Sequence, residues 1–142
     1  MEIRALLDVN ICLDAMLDRQ PFSDSALRIL QSVERQIITG VVPAISFDTI
    51  FYLLRPAMGT DAAHSRVREL SRHVRIGAVT EATVRKAIDA GWKDLEDAIQ
   101  YHTALQSECD VLVTRNVADF KGREIPILTP EEFLSHYLPD NR

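Results

Sequence analysis

The stretch Ile3-Arg4-Ala5-Leu6-Leu7-Asp8 places a short, mostly apolar segment directly before an acidic residue. An apolar run of this length predicts a buried β-strand. Central strands of a parallel sheet are covered on both faces, so a charge at the end of one needs pairing or a metal ion. Asp8 is therefore either a functional acid or a residue that bonds the backbone of a strand-to-helix turn.

Acidic or amide residues follow apolar segments at further places along the chain. These are Asp48 after residues 41–45, the run Asp94-Leu95-Glu96-Asp97 at the start of a helix, and Asn116 with Asp119 after residues 111–114. The ligand crevice of an open α/β sheet lies outside the carboxyl ends of its strands, so these side chains can converge. Convergent carboxylates repel one another, and their oxygens suit a hard divalent cation such as Mg²⁺. The pattern predicts one shared acidic pocket.

Strand and helix patterns alternate along the chain. Strands are predicted at residues 3–7, 41–45, 74–78, 111–114 and 125–128. Helices are predicted at residues 11–17, 24–38, 61–72, 80–90, 94–108 and 130–137. A further helix is predicted to be capped by Ser46 or Asp48 and to run until Pro56 and Gly59 stop it. Strands separated by helices imply parallel crossover connections. We therefore expect a three-layer α/β/α fold around a central, mainly parallel sheet of four to five strands.

Length and composition fit an ordinary globular protein. The chain has 142 residues, of which 46% are apolar and 26% are charged. We assign residues 1–138 to a single domain and residues 139–142 to a C-terminal tail. Apolar runs fall far short of the roughly 20 residues that span a bilayer, and the N-terminus lacks a signal-peptide pattern, so we expect a cytoplasmic protein without a membrane partner. Cys12 and Cys109 lack metal-ligand spacing, which indicates reduced thiols.

The net charge of −5 does not help a protein to bind nucleic acid by bulk attraction. Nonspecific affinity for nucleic acids comes mainly from lysine and arginine, so local basic groups must supply it. Arg115, Lys121 and Arg123 lie next to the last acidic cluster and are candidates for this role. A second basic group, Arg66, Arg68, Arg72 and Arg75, is expected to be a solvated helix face or surface loop.

Asp94 and Asp97 each have a structural and a functional interpretation. Aspartate is a preferred N-cap and acids are favoured in a first helical turn, so one of the two is expected to cap the helix. Residues at i, i+3 and i+7 share a helix face, so Asp94, Asp97 and Tyr101 are expected to project together while Glu96 points elsewhere. Both aspartates are therefore kept as candidates for the pocket.

Motifs in three parts of the chain occur in a characteristic order and spacing. They are Leu6-Leu7-Asp8-Val9-Asn10, Asp94-Leu95-Glu96-Asp97-Ala98, and Leu112-Val113-Thr114-Arg115-Asn116 followed by Asp119-Phe120. Together they resemble the PIN-domain nucleases, and within these the bacterial VapC-type toxins. The resemblance implies a PIN-like fold and a metal-dependent endoribonuclease that acts as the toxin of a type II toxin–antitoxin pair. It further implies an RNA substrate, a small antitoxin partner and a homodimer.

The resemblance also implies roles for individual residues. Asp8 occupies the family's first acidic position and Asp97 the later helical one, while Asn116 stands where many members carry the last acid, with Asp119 just beyond. One or two Mg²⁺ or Mn²⁺ ions would be held by Asp8, Asp97 and Asn116 or Asp119. Because an amide brings no charge, Asp119 or Asp94 would supply the negative charge that Asn116 lacks.

Further roles follow from the same resemblance. Thr49 stands at the family's second acidic position, and the adjacent Asp48 would point about 100° away on a helix. Whether Asp48 or Thr49 fills this position stays open. Thr114 is expected to orient a water or a carboxylate, while Arg115 and Lys121 are candidates for holding the phosphates that flank the cleaved bond.

Two other classes of protein remain compatible with the sequence. A noncatalytic RNA-binding or scaffold module with a depleted acidic site would explain Thr49 and Asn116. A phosphotransferase of the haloacid dehalogenase type also begins with an aspartate after its first strand. That family requires a second aspartate two residues later, where this chain has Asn10.

Overall fold

The computed structural model describes residues 2–138, so the predicted tail, residues 139–142, lies outside the described residues. Within residues 2–138 five strands form one parallel sheet, namely β1 (Arg4–Leu7), β2 (Thr39–Pro43), β3 (Arg75–Gly77), β4 (Val111–Val113) and β5 (Ile127–Leu128). The strand order is β3-β2-β1-β4-β5. The predicted three-layer α/β/α fold is confirmed.

The strand order reverses at β1, which makes the carboxyl ends of β1 and β4 a topological switch point. Leu7 pairs with Val113 at the end of these two strands. The backbone N–H of Asp8 donates to the Val113 carbonyl at 3.0 Å. Asp8 and Thr114 therefore leave the sheet side by side, at the edge where an α/β fold forms its ligand crevice.

Helices cover both faces of the sheet. In the described part of the chain they are α1 (Val9–Met16), α2 (Ser23–Glu34), α3 (Ala44–Met58), α4 (Thr60–His73), α5 (Glu81–Ala90), α6 (Leu95–Gln106) and α7 (Pro130–Tyr137). A short 3-10 helix spans Val117–Asp119. None of the helices between residues 2 and 138 is long and apolar enough to cross a membrane.

The core lies on both sides of β1. Leu7 packs in a cluster with residues of α1, α2, α3, α4 and α7, whereas Leu6 packs in a second cluster with Tyr101 of α6 and Phe120. Successive strand residues point to opposite faces, which explains why consecutive leucines serve different layers. Burial of both faces leaves only the strand ends for polar chemistry.

Several helix ends differ from the prediction. Helix α3 begins at Ala44 with Pro43 at its N-cap, so Ser46 and Asp48 lie inside the helix and cap nothing. Pro56 does not end α3 either, because it lies in the last turn, before Gly59 takes a φ of 89°. Helix α2 ends at Glu34, well before the predicted Ile38. The chain turns at Gln36, whose φ of 61° is incompatible with a right-handed helix.

Other local predictions hold. Thr80 caps α5 through a capping box, and Gly91 ends that helix in the left-handed conformation. Asp94 caps α6, because its Oδ1 accepts a hydrogen bond of 3.1 Å from the backbone N–H of Asp97. Cys12 and Cys109 are both buried and free.

Candidate active site

Asp8 lies at the switch point with only 2% of its surface exposed. Its Oδ2 accepts the Thr114 hydroxyl at 2.6 Å, and its Oδ1 accepts the Asn10 backbone N–H at 3.1 Å and Gln100 Nε2 at 3.4 Å. Burial nevertheless raises the pKa of Asp8, against the lowering effect of these hydrogen bonds and of the Arg115 charge. The donors leave part of the cost of burying the charge uncompensated.

The groups that bind Asp8 are themselves held in place. Gln100 Oε1 accepts the backbone N–H of Val9 at 3.0 Å, which fixes the orientation of the amide. Thr114 Oγ1 accepts the backbone N–H of Asn116 at 3.1 Å while its own hydrogen points to Asp8. The Asp8 carboxylate therefore has a fixed orientation, and its hydrogen-bond partners come from α1, from α6 and from the residue after β4.

Asp97 on the first turn of α6 is half-buried next to other acids. Burial, and then the negative charges of Asp94, Asp8, Asp119 and Glu96, raise the pKa of Asp97 from 3.8 to about 7. Such an influence requires the charges to lie near one another. The structure therefore brings residues from the ends of β1 and β4 and the start of α6 into one acidic cluster.

Glu96 belongs to this cluster, contrary to the expectation that it points elsewhere. It is half-buried, and its pKa is raised by burial first and then by the charges of Asp94 and Asp8, while a hydrogen bond with Thr49 lowers it. Helical geometry alone places Glu96 on another face of α6, but its environment includes Thr49 of α3. The third acid in the run Asp94-Leu95-Glu96-Asp97 was the available signal.

On α3 it is Thr49, and not Asp48, that reaches the cluster. Thr49 is partly buried and contacts Glu96, whereas Asp48 is exposed. Asp48 is also absent from the charges that act on the pKa values of Asp97 and Glu96. The structure thus does not bring Asp48 to the predicted pocket, because it lies about 100° further round α3 than Thr49.

The segment after β4 supplies the remaining predicted residues. Asn116 is exposed and precedes the 3-10 helix, and the backbone N–H of Asp119 donates to its carbonyl at 3.0 Å. The exposed Asp119 carboxylate acts on Asp97. Lys121 is exposed as well, and its Nζ donates to the Ala118 carbonyl at 3.1 Å. Both Asn116 and Asp119 are accessible to a ligand from solvent.

A buried carboxylate on α1, Asp14, was not found from the sequence. It is 1% exposed and accepts two hydrogen bonds from Arg115, Nε to Oδ2 at 2.8 Å and Nη2 to Oδ1 at 3.3 Å. Arg19 Nη1 lies 3.5 Å from Asp14 Oδ1. The Arg115 guanidinium carbon also lies 4.2 Å above the centre of the Phe22 ring. The only signal for Asp14 was a charge within an apolar helical segment.

Comparison with known protein families settles the class of the chain. A PIN-domain profile matches residues 4–118. The chain belongs to the PIN-domain family. The resemblance inferred from the motifs is therefore confirmed, and the haloacid dehalogenase alternative is wrong.

Relatives of this PIN domain cover nearly its whole length. It is 28% identical to Ribonuclease VapC1 of Aquifex aeolicus (strain VF5), over 94% of this chain and 95% of the relative. VapBC2 from Rickettsia felis, bound to a promoter DNA fragment, shares its fold with a TM-score of 0.68 and 14% identity, over 89% of this chain and 98% of the other. A toxin–antitoxin complex from Klebsiella pneumoniae matches with a TM-score of 0.67 and 22% identity, over 89% and 97%.

The acidic cluster of the PIN domain offers carboxylate oxygens as donors. Asp8, Glu96, Asp97 and Asp119 contain neither sulfur nor imidazole, a composition that fits a hard divalent cation. The mutual repulsion that raises the pKa of Asp97 is also what a cation would relieve. The residues present therefore fit a divalent metal ion.

A different group of possible ligands lies outside the pocket. Ligand atoms of Glu34, Glu69 and His73 lie within 4.8 Å of one another, and all three residues are exposed. Helices α2 and α4 end there, just before β2 and β3 begin, so this group lies at the amino ends of the strands. It is separated from Asp8 by the length of the sheet and has no part in the acidic cluster.

Proposed function

We propose that this PIN domain is a metal-dependent endoribonuclease that acts as the toxin of a type II toxin–antitoxin pair. The observation that carries the proposal is the acidic cluster, in which burial and four neighbouring acids raise the pKa of Asp97 to about 7. The relative from Aquifex aeolicus is named a ribonuclease, and several proteins of the same fold are components of toxin–antitoxin complexes. Both facts support the proposal.

Asp8, Glu96 and Asp97, together with Asn116 or Asp119, would hold Mg²⁺ or Mn²⁺. Such an ion, when bound, supplies a Lewis acid that activates water and neutralises charge on a phosphodiester. The chain's own contribution is orientation. Thr114 and Gln100 hold the Asp8 carboxylate in one position, in the way that outer hydrogen-bond partners usually hold metal ligands.

The substrate in this proposal is RNA in a single-stranded or looped form. Unpaired segments can be drawn into a pocket, whereas an A-form duplex is recognised mainly by its shape. Action on cellular RNA would place the protein in the cytoplasm. By analogy with the complexes that share its fold, we propose a small antitoxin as its partner and a homodimer as its assembly.

The experiment is a cleavage assay on a panel of RNAs with Mg²⁺, with Mn²⁺ and with a chelator. Wild type is expected to cleave only with metal. Asp8→Asn, which removes a ligand charge at nearly constant volume, is expected to abolish cleavage while the circular dichroism spectrum stays unchanged. Asp89→Asn, an exposed site on α5, is the matched control and should retain full activity. Undiminished cleavage by purified Asp8→Asn protein would refute the proposal.

A noncatalytic RNA-binding module is the second candidate, favoured by the uncharged Thr49 and Asn116. A titration with Mn²⁺ in thermal melts separates the two. A metal site stabilises wild type by about 2.7 kcal/mol at a concentration 100 times Kd, and Asp8→Asn should remove most of this gain. A melting temperature that does not respond to Mn²⁺, together with RNA binding but no cleavage, would favour the noncatalytic module.

A further inference from the structure

We propose that Arg19, Phe22 and Arg115 form a subsite that holds one nucleotide of single-stranded RNA beside the acidic pocket, with Asp14 as the positioning residue for both arginines. The inference rests on the proposed nuclease function and identifies the surface along which its substrate lies. It is independent of which metal the pocket binds.

The ion-pair group at Asp14 contains more basic than acidic side chains. Asp14 is buried, and its single negative charge faces the guanidinium groups of Arg115 and Arg19. Within this group of three, two positive charges face one negative charge, while Asp8 and the loop residue Asp18 add negative charge nearby. The side chains of Arg19 and Arg115 are 34% and 26% exposed, so their guanidinium groups are accessible to an anion from solvent.

Arg19 and Arg115 both lie next to the acidic pocket. Arg115 directly precedes Asn116, and its charge lowers the pKa of Asp8. Arg19 Nη1 donates to Asn10 Oδ1 at 3.3 Å, and the backbone N–H of Asn10 donates to Asp8. A phosphate on the arginines would thus lie close to the acidic cluster, within reach of the same RNA strand.

Hydrogen bonds within the chain order the loop between α1 and α2. The backbone N–H of Arg19 donates to the Asp14 carbonyl at 3.0 Å, and that of Phe22 donates to the Arg19 carbonyl at 2.9 Å. The Ser23 hydroxyl donates to Asp18 Oδ1 at 2.8 Å. Because these bonds within the chain fix the loop backbone, little conformational freedom is lost when RNA binds.

The aromatic ring of Phe22 lies at the surface beside Arg115. It is 36% exposed, although large apolar side chains are usually buried, and the Arg115 guanidinium stacks on it at 4.2 Å. Unpaired bases stack on aromatic rings and on guanidinium planes. An exposed ring beside two phosphate-binding groups therefore matches a nucleotide, which presents a base and a phosphate together.

The test measures binding of a fluorescently labelled single-stranded oligoribonucleotide by anisotropy, in chelator to prevent cleavage and at several salt concentrations. Arg19→Ala should weaken binding about fivefold or more and reduce the slope of log Kd against log salt by about 0.7, the value for one lost phosphate contact. Phe22→Ala should weaken binding about tenfold, as expected for a lost stacking contact, and leave the slope unchanged. Arg19→Lys should retain the wild-type slope.

Matched controls lie on α5, away from the loop. Arg85→Ala removes an exposed arginine that pairs with Glu81, and Ile88→Ala removes an exposed apolar side chain. Both should bind RNA as wild type does. Arg19 and Phe22 are partly exposed, so their variants are expected to fold, and a thermal melt of each variant verifies this.

The outcomes separate the subsite from the nuclease function. If Arg19→Ala and Phe22→Ala both bind RNA with the affinity and salt slope of wild type, the subsite is overturned. Metal-dependent cleavage by wild type in that case leaves the proposed function in place. If both variants show the predicted binding losses but wild type cleaves no RNA with either metal, the subsite is supported and the nuclease function is overturned. A preference of the subsite for an acidic peptide over RNA would overturn the inference.

Discussion

Asp97→Asn should stabilise the metal-free protein at alkaline pH, because the substitution removes a charge that the fold holds at a cost. The pKa of Asp97 is raised from 3.8 to about 7. At 1.36 kcal/mol for each pH unit, this difference corresponds to roughly 4 kcal/mol of destabilisation when the group is ionised. Solvent screening at a half-buried site reduces the figure to roughly 2 kcal/mol. Loss of an acid from the first helical turn subtracts about 0.5 kcal/mol more.

The sign of the effect depends on pH. The unfolded chain releases the Asp97 proton near pH 3.8, while the folded, metal-free protein retains it up to about pH 7. Between these values the native state binds the extra proton, so its stability falls as the pH rises and remains lower above pH 7. The gain from Asp97→Asn should therefore be near zero at pH 4 and reach its full value at pH 8.

Thermal melts in chelator at pH 4, 6 and 8 test this directly. A gain of roughly 1.5 kcal/mol raises the melting temperature by about 5 °C in a chain of this size. Asp89→Asn, the exposed control on α5, should change the stability by less than about 0.5 kcal/mol at every pH. If Asp97→Asn were no more stable than wild type at pH 8, or gained equally at pH 4 and pH 8, the electrostatic account of the pocket would be wrong.

Further predictions concern the metal ligands and the core. Glu96→Gln should weaken Mn²⁺ binding about tenfold in calorimetry. Adding Thr49→Glu should restore part of the lost affinity, because Thr49 contacts Glu96. An unchanged Mn²⁺ affinity in Glu96→Gln would remove Glu96 from the proposed ligands. Ser46→Ala should raise the free energy of unfolding in urea by up to about 1 kcal/mol, because the buried Ser46 hydroxyl has no hydrogen-bond partner among the described residues. A loss of stability would instead mean that the hydroxyl has a partner. Gly122→Ala should lower that free energy by about 1–3 kcal/mol, since the added Cβ would overlap the Tyr101 ring; a neutral effect would mean that the ring moves freely.

The parts of the fold that were predicted from the sequence are those with local causes. Asp8 follows a run of apolar residues, so the end of β1 was marked by a change of polarity. Thr80 and Gly91 mark the two ends of α5 through capping preferences that act within a few residues. The start of α3 was misplaced because Pro43 ends the strand and caps the helix at the same point, which left Ser46 as a plausible but wrong cap.

The parts of the site that were missed depend on contacts between distant elements. Asp14 resembles an isolated charge on α1 until α1 packs beside the segment after β4, where Arg115 reaches it across 101 positions of sequence. Glu96 is assigned to the wrong face by helical geometry alone, because its environment includes Thr49 from α3. In both cases the deciding partner is supplied by tertiary packing, which no local pattern encodes.

The net charge of −5 is compatible with RNA binding because the fold buries the carboxylate of Asp14 and leaves the arginines that contact it partly exposed. Asp14 is buried, so its carboxylate is shielded from solvent and acts mainly on the arginines that contact it. The outer ends of Arg19 and Arg115 remain exposed beside an acidic cluster that a cation would neutralise. An approaching strand would therefore meet the positive charges of two neighbouring arginines that contact the same buried carboxylate. Replacing Asp14 with an uncharged residue would raise the net charge of the protein and still weaken RNA binding, because the arginines would lose the contact that aims them at the substrate.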